Sequence, residues 1–280
     1  KQQLGASLCT SCCHKVACIC IPALIKGQTI TTSMVERMSE QLKISQNPLV
    51  FLHGWGLNHQ VWSQLVSALP DALSIYTPDL PGFGVSPCPV CYDLDTVLSQ
   101  LAEQIPAQST VVGWSLGGLL AIALASRYPE KVNKLGLIAS SPCFISKDDW
   151  PGMASHVMQQ FAGQLQQDLA LTVERFLAIQ AMGSSTARQD IKLLKHAVLS
   201  LPLPSALALQ GGLELLATVD LRQEFAALPQ PVFSILGRLD SLVPVAIAPL
   251  LQKLRPELQV EILQKSSHAP FISHQQEFIS

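Results

Sequence analysis

Ser115 stands in Gly113-Trp114-Ser115-Leu116-Gly117-Gly118, between the apolar run 109–112 and an alanine- and leucine-rich stretch over 119–125. The run reads as the end of a buried strand and the stretch as a helix that begins right after the serine. A serine on a sharp strand-to-helix turn needs small residues two positions to either side, because the tight backbone leaves no room for Cβ atoms. Such a turn lifts the hydroxyl clear of the sheet and sets helix N-terminal N–H groups beside it, where they stabilise negative charge. The chemistry this suggests is nucleophilic attack by a serine oxygen.

A serine hydroxyl is a weak nucleophile until a base takes its proton, and the base needs a carboxylate to fix its tautomer. After a turn of this kind the carboxylate and the histidine are expected in that order along the chain. Asp240, in Leu236-Gly237-Arg238-Leu239-Asp240, follows one candidate strand, and His268, in Ser266-Ser267-His268-Ala269-Pro270, follows the last. All three residues thus fall in loops at the same sheet edge. The competitors fit less well. Asp220 precedes the return to strand character, His274 lies on a predicted helix, and His156 and His196 sit in a helical stretch and read as structural. His14 and His59 have no catalytic context. An oxyanion needs two donors. Leu116 N–H at the helix start supplies one, and Trp55 N–H in His53-Gly54-Trp55-Gly56, directly after an early strand, is the expected second. One such donor contributes about 3–4 kcal/mol to the transition state. His53 reads as a brace of that turn.

Several elements must position these groups. Candidate strands are 49–53, 74–77, 110–114, 134–139, 232–236 and 259–263, and candidate helices between them are 59–69, 94–105, 116–128 and 245–254. The alternation implies an α/β fold, a mostly parallel sheet flanked by helices. From Cys143 to about Gln230 the pattern turns helical, with Trp150, Met153, Met158, Phe161, Phe176 and Met182 among its apolar positions. A helical block inserted between two strands reads as a lid over the carboxyl ends of the sheet. The expected organisation is a cysteine-rich extension over 1–38, a core over 39–142 and 231–280, and a helical lid over 143–230.

Composition agrees with a globular chain. Of 280 residues, 48% are hydrophobic and 14% charged, and the formal net charge is −2. That balance gives no overall attraction to nucleic acid or to an anionic membrane. The charge-free stretches 104–126 and 196–213 are interrupted by proline and glycine and read as buried segments, so no membrane span is expected. Five of the eight cysteines crowd into the first twenty residues (Cys9, Cys12, Cys13, Cys18, Cys20). With His14 they are metal-ligand residue types, yet the spacing lacks a second C-x-x-C or H-x₃-H half. The segment reads as an extension, with Met34 and Met38 as candidate starts, and it makes a poor secretion signal. Cys88-Pro89-Val90-Cys91 lies in a proline-rich loop and not at a helix start.

His53-Gly54-Trp55-Gly56, Asp79-Leu80-Pro81-Gly82-Phe83-Gly84, the Ser115 motif and His268-Ala269-Pro270-Phe271 together resemble the α/β-hydrolase superfamily. More closely the chain resembles the pimeloyl-[acyl-carrier protein] methyl ester esterase family of biotin biosynthesis. Ser140-Ser141-Pro142-Cys143-Phe144, Asp149-Trp150-Pro151-Gly152, Thr172-Val173-Glu174-Arg175-Phe176-Leu177, Thr186-Ala187-Arg188-Gln189-Asp190, Gly211-Gly212-Leu213-Glu214 and Thr218-Val219-Asp220-Leu221-Arg222 carry that closer likeness. The resemblance implies a serine carboxylesterase that frees the pimeloyl carboxylate and methanol, with Ser115 as nucleophile, His268 as base and Asp240 as its orienter. It implies oxyanion donors at Trp55 and Leu116, an acyl pocket lined by Trp114 and Phe176, and contacts to an acidic acyl-carrier protein at Arg175, Arg188 and Lys192. Lysine at 192 keeps the charge but not the bidentate geometry of arginine. Leu171 is apolar where the family pattern is basic. The family continues through a closing helix, which would lie beyond Ser280. The expectation is a cytoplasmic monomer with no cofactor, no metal, no nucleic acid and no membrane among its partners. A general carboxylesterase for short acyl esters with the same triad stays open, as do a carbon–carbon bond hydrolase and a non-catalytic binding protein of this fold.

Overall fold

Short apolar runs closed by glycine, proline or polar residues form six parallel strands in the computed structural model, which describes residues 47–279. They are β1 (Leu49–Leu52), β2 (Ile75–Tyr76), β3 (Ser109–Trp114), β4 (Val132–Ile138), β5 (Val232–Gly237) and β6 (Gln259–Leu263). Each lies within a residue or two of its predicted position. Their order across the sheet is β2-β1-β3-β4-β5-β6. The chain therefore steps one way from β1 to β2, then returns past β1 and continues the other way. Such a reversal opens a crevice at the carboxyl ends of the two strands that flank it, here β1 and β3. Their register pairs Leu52 with Gly113, which sets the loops after both strands side by side.

Helices α1 (Ser63–Ala68), α2 (Leu94–Gln104), α3 (Leu116–Arg127) and, later, α9 (Ala248–Leu254) connect the strands. Helix α3 has every residue from Leu116 to Ala125 buried. A helix apolar on all sides belongs in the core, and this one starts immediately after Ser115.

Between β4 and β5 the chain builds an insertion. The sequence pattern predicts helix from Cys143, but the first helix begins at Ser155. Over 143–153 the chain instead folds back on itself, with bridges from Ile145 to Met153 and from Lys147 to Trp150. Pro151 and Gly152 stop a helix there. The helices that follow are α4 (Ser155–Gln167), α5 (Leu169–Gln180), α6 (Ala187–Leu199), α7 (Ala206–Thr218) and α8 (Arg222–Ala227). Asp168 caps α5 by accepting from Leu171 N–H at 2.9 Å, and Ser205 caps α7 by accepting from Ala208 N–H at 3.0 Å. Met182, expected at an apolar position, is 56% exposed, because it lies in the turn after α5 and not on a helix face.

The return to the sheet rests on one buried cation. Arg255 is only 4% exposed and its guanidinium donates to the carbonyls of Phe225 at 3.1 Å, Leu228 at 2.6 Å and Gln230 at 3.0 Å. It thus holds the segment that leads from α8 into β5. Glu257 pairs with it at 2.7 Å. Two short helices, α10 (Pro270–Ser273) and α11 (Gln275–Ile279), follow β6. Among the described residues no helix is long and apolar enough to cross a membrane. The cysteine-rich extension over 1–38 lies outside the described residues.

Replacing Arg255 by methionine keeps the volume but strands three carbonyls, each worth about 1–3 kcal/mol when left unpaired and buried. Urea denaturation of Arg255→Met is expected to show a loss of about 2–4 kcal/mol, with Arg255→Lys recovering only part of it.

Candidate active site

Ser115 has φ +54° and ψ −120°, one of three non-glycine residues at positive φ among those described. The turn is possible because the residues two positions to either side have no side chain. A Cβ on Gly113 would lie 2.3 Å from the Gly117 carbonyl oxygen, and one on Gly117 would lie 2.4 Å from that of Leu52. Hydrogen bonds then fix the turn. Ser115 N–H donates to Ile138 O at 3.0 Å, while Ser115 O accepts from Ser140 Oγ at 2.8 Å and from Gly118 N–H at 2.9 Å.

The loops after β5 and β6 bring Asp240 and His268 together. His268 Nδ1 donates to Asp240 Oδ2 at 2.8 Å, with neither side chain exposed. The other carboxylate oxygen accepts from Leu242 N–H at 2.8 Å and Val243 N–H at 3.1 Å, so Asp240 cannot turn away. With the proton on Nδ1, Nε2 keeps its lone pair. That atom is buried and has no hydrogen-bond partner among the described residues, Ser115 included. Serine–histidine bonds of this type commonly tighten only when substrate is present. The histidine backbone is held from two sides. Its N–H donates to Gln180 O at 3.1 Å, and its carbonyl accepts from Trp114 Nε1 at 2.7 Å. Trp114 is wholly buried against Phe271, with ring centroids 5.0 Å apart, so the residue beside Ser115 also anchors the histidine loop.

The loop after β1 closes over the serine. A Cβ on Gly54 would stand 3.3 Å from Ser115 Cβ. Trp55 N–H and Leu116 N–H donate to no other group among the described residues. The Trp55 ring is fixed edge-on to Phe176, with centroids 4.8 Å apart, and its Nε1 donates to Leu209 O at 2.8 Å. Helix α7 reaches this ring only because residue 212 is glycine, where a Cβ would lie 2.8 Å from Trp55 Cδ1. Phe176 is buried and touches Phe161 of α4 as well, with centroids 5.7 Å apart.

His53 braces this loop. Its Nδ1 donates to Gly54 O at 2.8 Å and its Nε2 accepts from Leu80 N–H at 3.0 Å, a pattern only the neutral ring can make. Burial lowers its pKa from 6.5 to about 4. Asp79 ties down the neighbouring loop, accepting from His59 N–H at 2.6 Å and Val85 N–H at 2.9 Å. His59, which the sequence left without context, is therefore part of this bracing.

The competing residues are occupied elsewhere. Partial burial works against ionisation of Asp220, yet hydrogen bonds from Arg222 and Lys147 hold its pKa at about 2. His274 bonds Ser273 Oγ at 2.8 Å, and His156 and His196 are exposed. Cys88 and Cys91 are exposed free thiols. Arg175 on α5 and Arg188 and Lys192 on α6 are all exposed, and Arg188 and Lys192 share one helix face at a spacing of four. A Lys195–Glu174 ion pair joins the two helices. Arg175 rims a groove between α4 and α5 whose wall includes Phe161, Gln164 and Ile179. Leu171 is 41% exposed. Gln180 and Ser140 touch the site and were missed by sequence reasoning. Gln180 carries no motif, and Ser140 enters the sequence reading only within the stretch 140–144 that carries the family likeness, with no role of its own.

The description of the alpha/beta hydrolase fold family matches residues 47–275. The chain belongs to the α/β-hydrolase family. Curated relatives carry the closer likeness. A pimeloyl-[acyl-carrier protein] methyl ester esterase of Klebsiella pneumoniae (strain 342) is 51% identical over 226 residues, covering 81% of this chain and 88% of that protein. One of Aeromonas hydrophila is 49% identical, covering 85% and 94%. Among solved structures, an esterase from Exiguobacterium antarcticum superposes with a TM-score of 0.72 at 23% identity, over 83% of this chain and 89% of that one, which speaks to the fold alone.

The buried neutral His53 of this α/β-hydrolase has a consequence for stability. Its folded pKa lies near 4 and its unfolded value near 6.5, so as pH falls the unfolded chain takes the proton first. The contribution is complete above pH 6.5 and is lost progressively toward pH 4. Urea midpoints at pH 7.5 and 5 are expected to drop with acid, and to drop less in His53→Gln.

Proposed function

We propose that this chain is a serine carboxylesterase that hydrolyses the methyl ester of pimeloyl-[acyl-carrier protein] to the free carboxylate and methanol, a step of biotin biosynthesis. The observation that carries the substrate is the roughly half-identical match, along most of both chains, to curated esterases of that name. The reaction class is supported by the Asp240–His268 pair at the same sheet edge as the strained Ser115 turn.

In this reading His268 Nε2 takes the Ser115 proton as Oγ attacks the ester carbonyl. Asp240 holds the ring and stabilises the imidazolium that forms. Trp55 N–H and Leu116 N–H receive the oxyanion, and neither has another acceptor to give up. Collapse of the tetrahedral intermediate expels methanol, which takes its proton from His268, and water then hydrolyses the acyl-enzyme by the reverse transfers. Phe176 and Trp114 line the acyl pocket, and the insertion acts as a lid. Arg175, Arg188 and Lys192 meet the acidic carrier protein, with Lys192 contributing a point charge. The enzyme works in the cytoplasm as a monomer, and every step uses groups of the chain and water.

Methanol release from pimeloyl-carrier-protein methyl ester is expected to fall by at least about 10³-fold in Ser115→Ala. No serine-dependent release, alongside good cleavage of short p-nitrophenyl esters, would move the assignment to a general carboxylesterase. Reversing Arg175 and Arg188 together to glutamate is expected to raise KM for the carrier-bound ester by about tenfold or more, since like charges then face the carrier. A KM unaltered by that double change would place the carrier contact elsewhere on the surface.

A further inference from the structure

Gln180, the last residue of α5, has no exposed surface, and neither its Oε1 nor its Nε2 has a hydrogen-bond partner among the described residues. A buried carboxamide left unpaired costs several kcal/mol, so such groups are retained where something from outside the chain satisfies them. Its place narrows what that is. The backbone carbonyl of Gln180 accepts the N–H of His268 at 3.1 Å, which sets the two residues against each other. Its side chain belongs to the buried face of α5 that also carries Val173, Phe176 and Leu177, and Phe176 packs on Trp55. His268 Nε2 is a further buried, unpartnered polar atom, on the residue whose N–H the Gln180 carbonyl accepts. Two residues with orphaned groups, one a ring nitrogen with a free lone pair and one an uncharged carboxamide, thus sit against each other beneath the buried face of α5.

We propose that the Gln180 side chain holds the hydrolytic water against His268 in the second half-reaction. This rests on the reading of Ser115 as the nucleophile. The water gives one hydrogen to Gln180 Oε1 and the other to His268 Nε2, which points its oxygen at the acyl carbon on Ser115. As the new C–O bond forms, the proton passes to Nε2. The C–Oγ bond then breaks, and Ser115 Oγ recovers that proton. A neutral carboxamide suits the position, because a carboxylate there would add a second negative charge beside Asp240. Attack by Ser115 itself needs no water, so the first half-reaction does not use the Gln180 oxygen.

The test is pre-steady-state hydrolysis of a p-nitrophenyl acyl ester by Gln180→Met, which keeps the length and removes the polar atoms. Acyl-enzyme on Ser115 is followed by intact-protein mass spectrometry. The expected result is a burst of nitrophenol with accumulated acyl-enzyme, and deacylation slowed by about tenfold or more, the effect of one misplaced hydrogen-bonded reactant. Slowing of the burst itself without accumulation, or turnover equal to that of the unaltered enzyme, overturns the proposal. Active-site titration with a fluorophosphonate on the same samples counts the folded, competent protein, so loss of fold is not mistaken for lost chemistry. If the unaltered protein fails to label at Ser115, the nucleophile assignment falls and the water site with it. Normal labelling with normal deacylation in Gln180→Met removes only the water site.

Discussion

The structure depends on holding one residue where a side chain is not welcome. Ser115 occupies a backbone conformation that costs about 1–3 kcal/mol for a residue with a Cβ. Four hydrogen bonds to its own N–H and carbonyl, each contributing about 1 kcal/mol net, are of the same order and oppose that cost. They work only because β3 and β4 are in register at Trp114 and Ile138, and because α3 can lie directly against the sheet. The glycines of the turn, the helix buried from Leu116 to Ala125 behind it and the adjacent carboxyl ends of β1 and β3 answer to the same steric demand. A helix that starts at a strained serine must begin inside the protein, and that is why α3 has no polar face.

Two buried histidines near this turn differ in how far their hydrogen bonds are filled. His53 and His268 are both fully buried, and each has an aspartate at hand. His53 Nε2 lies 3.7 Å from Asp79 Oδ1 and accepts Leu80 N–H, while its Nδ1 donates to Gly54 O. Both nitrogens are saturated by backbone, the ring stays neutral and it serves as a strut. His268 gives its Nδ1 proton to Asp240 and keeps Nε2 open. The same residue types in similar burial therefore do different work. What differs is whether the backbone has taken the second nitrogen.

Much of this was legible in the chain. Strand positions could be read because parallel strands buried on both faces are short continuous apolar runs, and 110–114 and 135–138 are clear cases. The joint placement of Ser115, Asp240 and His268 followed from strand order, since residues just past parallel strands share one edge. Three kinds of feature were not legible. The fold-back over 143–153 depends on bridges between residues whose apolar spacing also suits a helix. Arg255 looks like any surface arginine until the carbonyls of 225, 228 and 230 gather around it. Gln180 is a polar residue at a helix end, and only its burial beside His268 marks it. Each depends on partners far away in sequence, which periodicity does not encode.

The insertion is not a separate cover laid on a finished site. Gln180 O holds the His268 N–H, Met182 O accepts from Ser267 Oγ at 2.8 Å, and Leu209 O holds the Trp55 indole. These are bonds to backbone carbonyls of the insertion, so side-chain rotation there cannot release them. Lifting the whole insertion would break all three and would free the histidine loop and the loop after β1 together. None of the three comes from α4, which meets the site through the Phe161–Phe176 ring contact. A contact between apolar rings can slide at little cost, whereas a buried hydrogen bond cannot be stretched without leaving a polar group unpaired. The backbone carbonyls that tie the insertion to the site thus come from α5, the turn after it and α7, whereas α4 and the groove it forms with α5, at the rim of which Arg175 stands, join the site through ring contact.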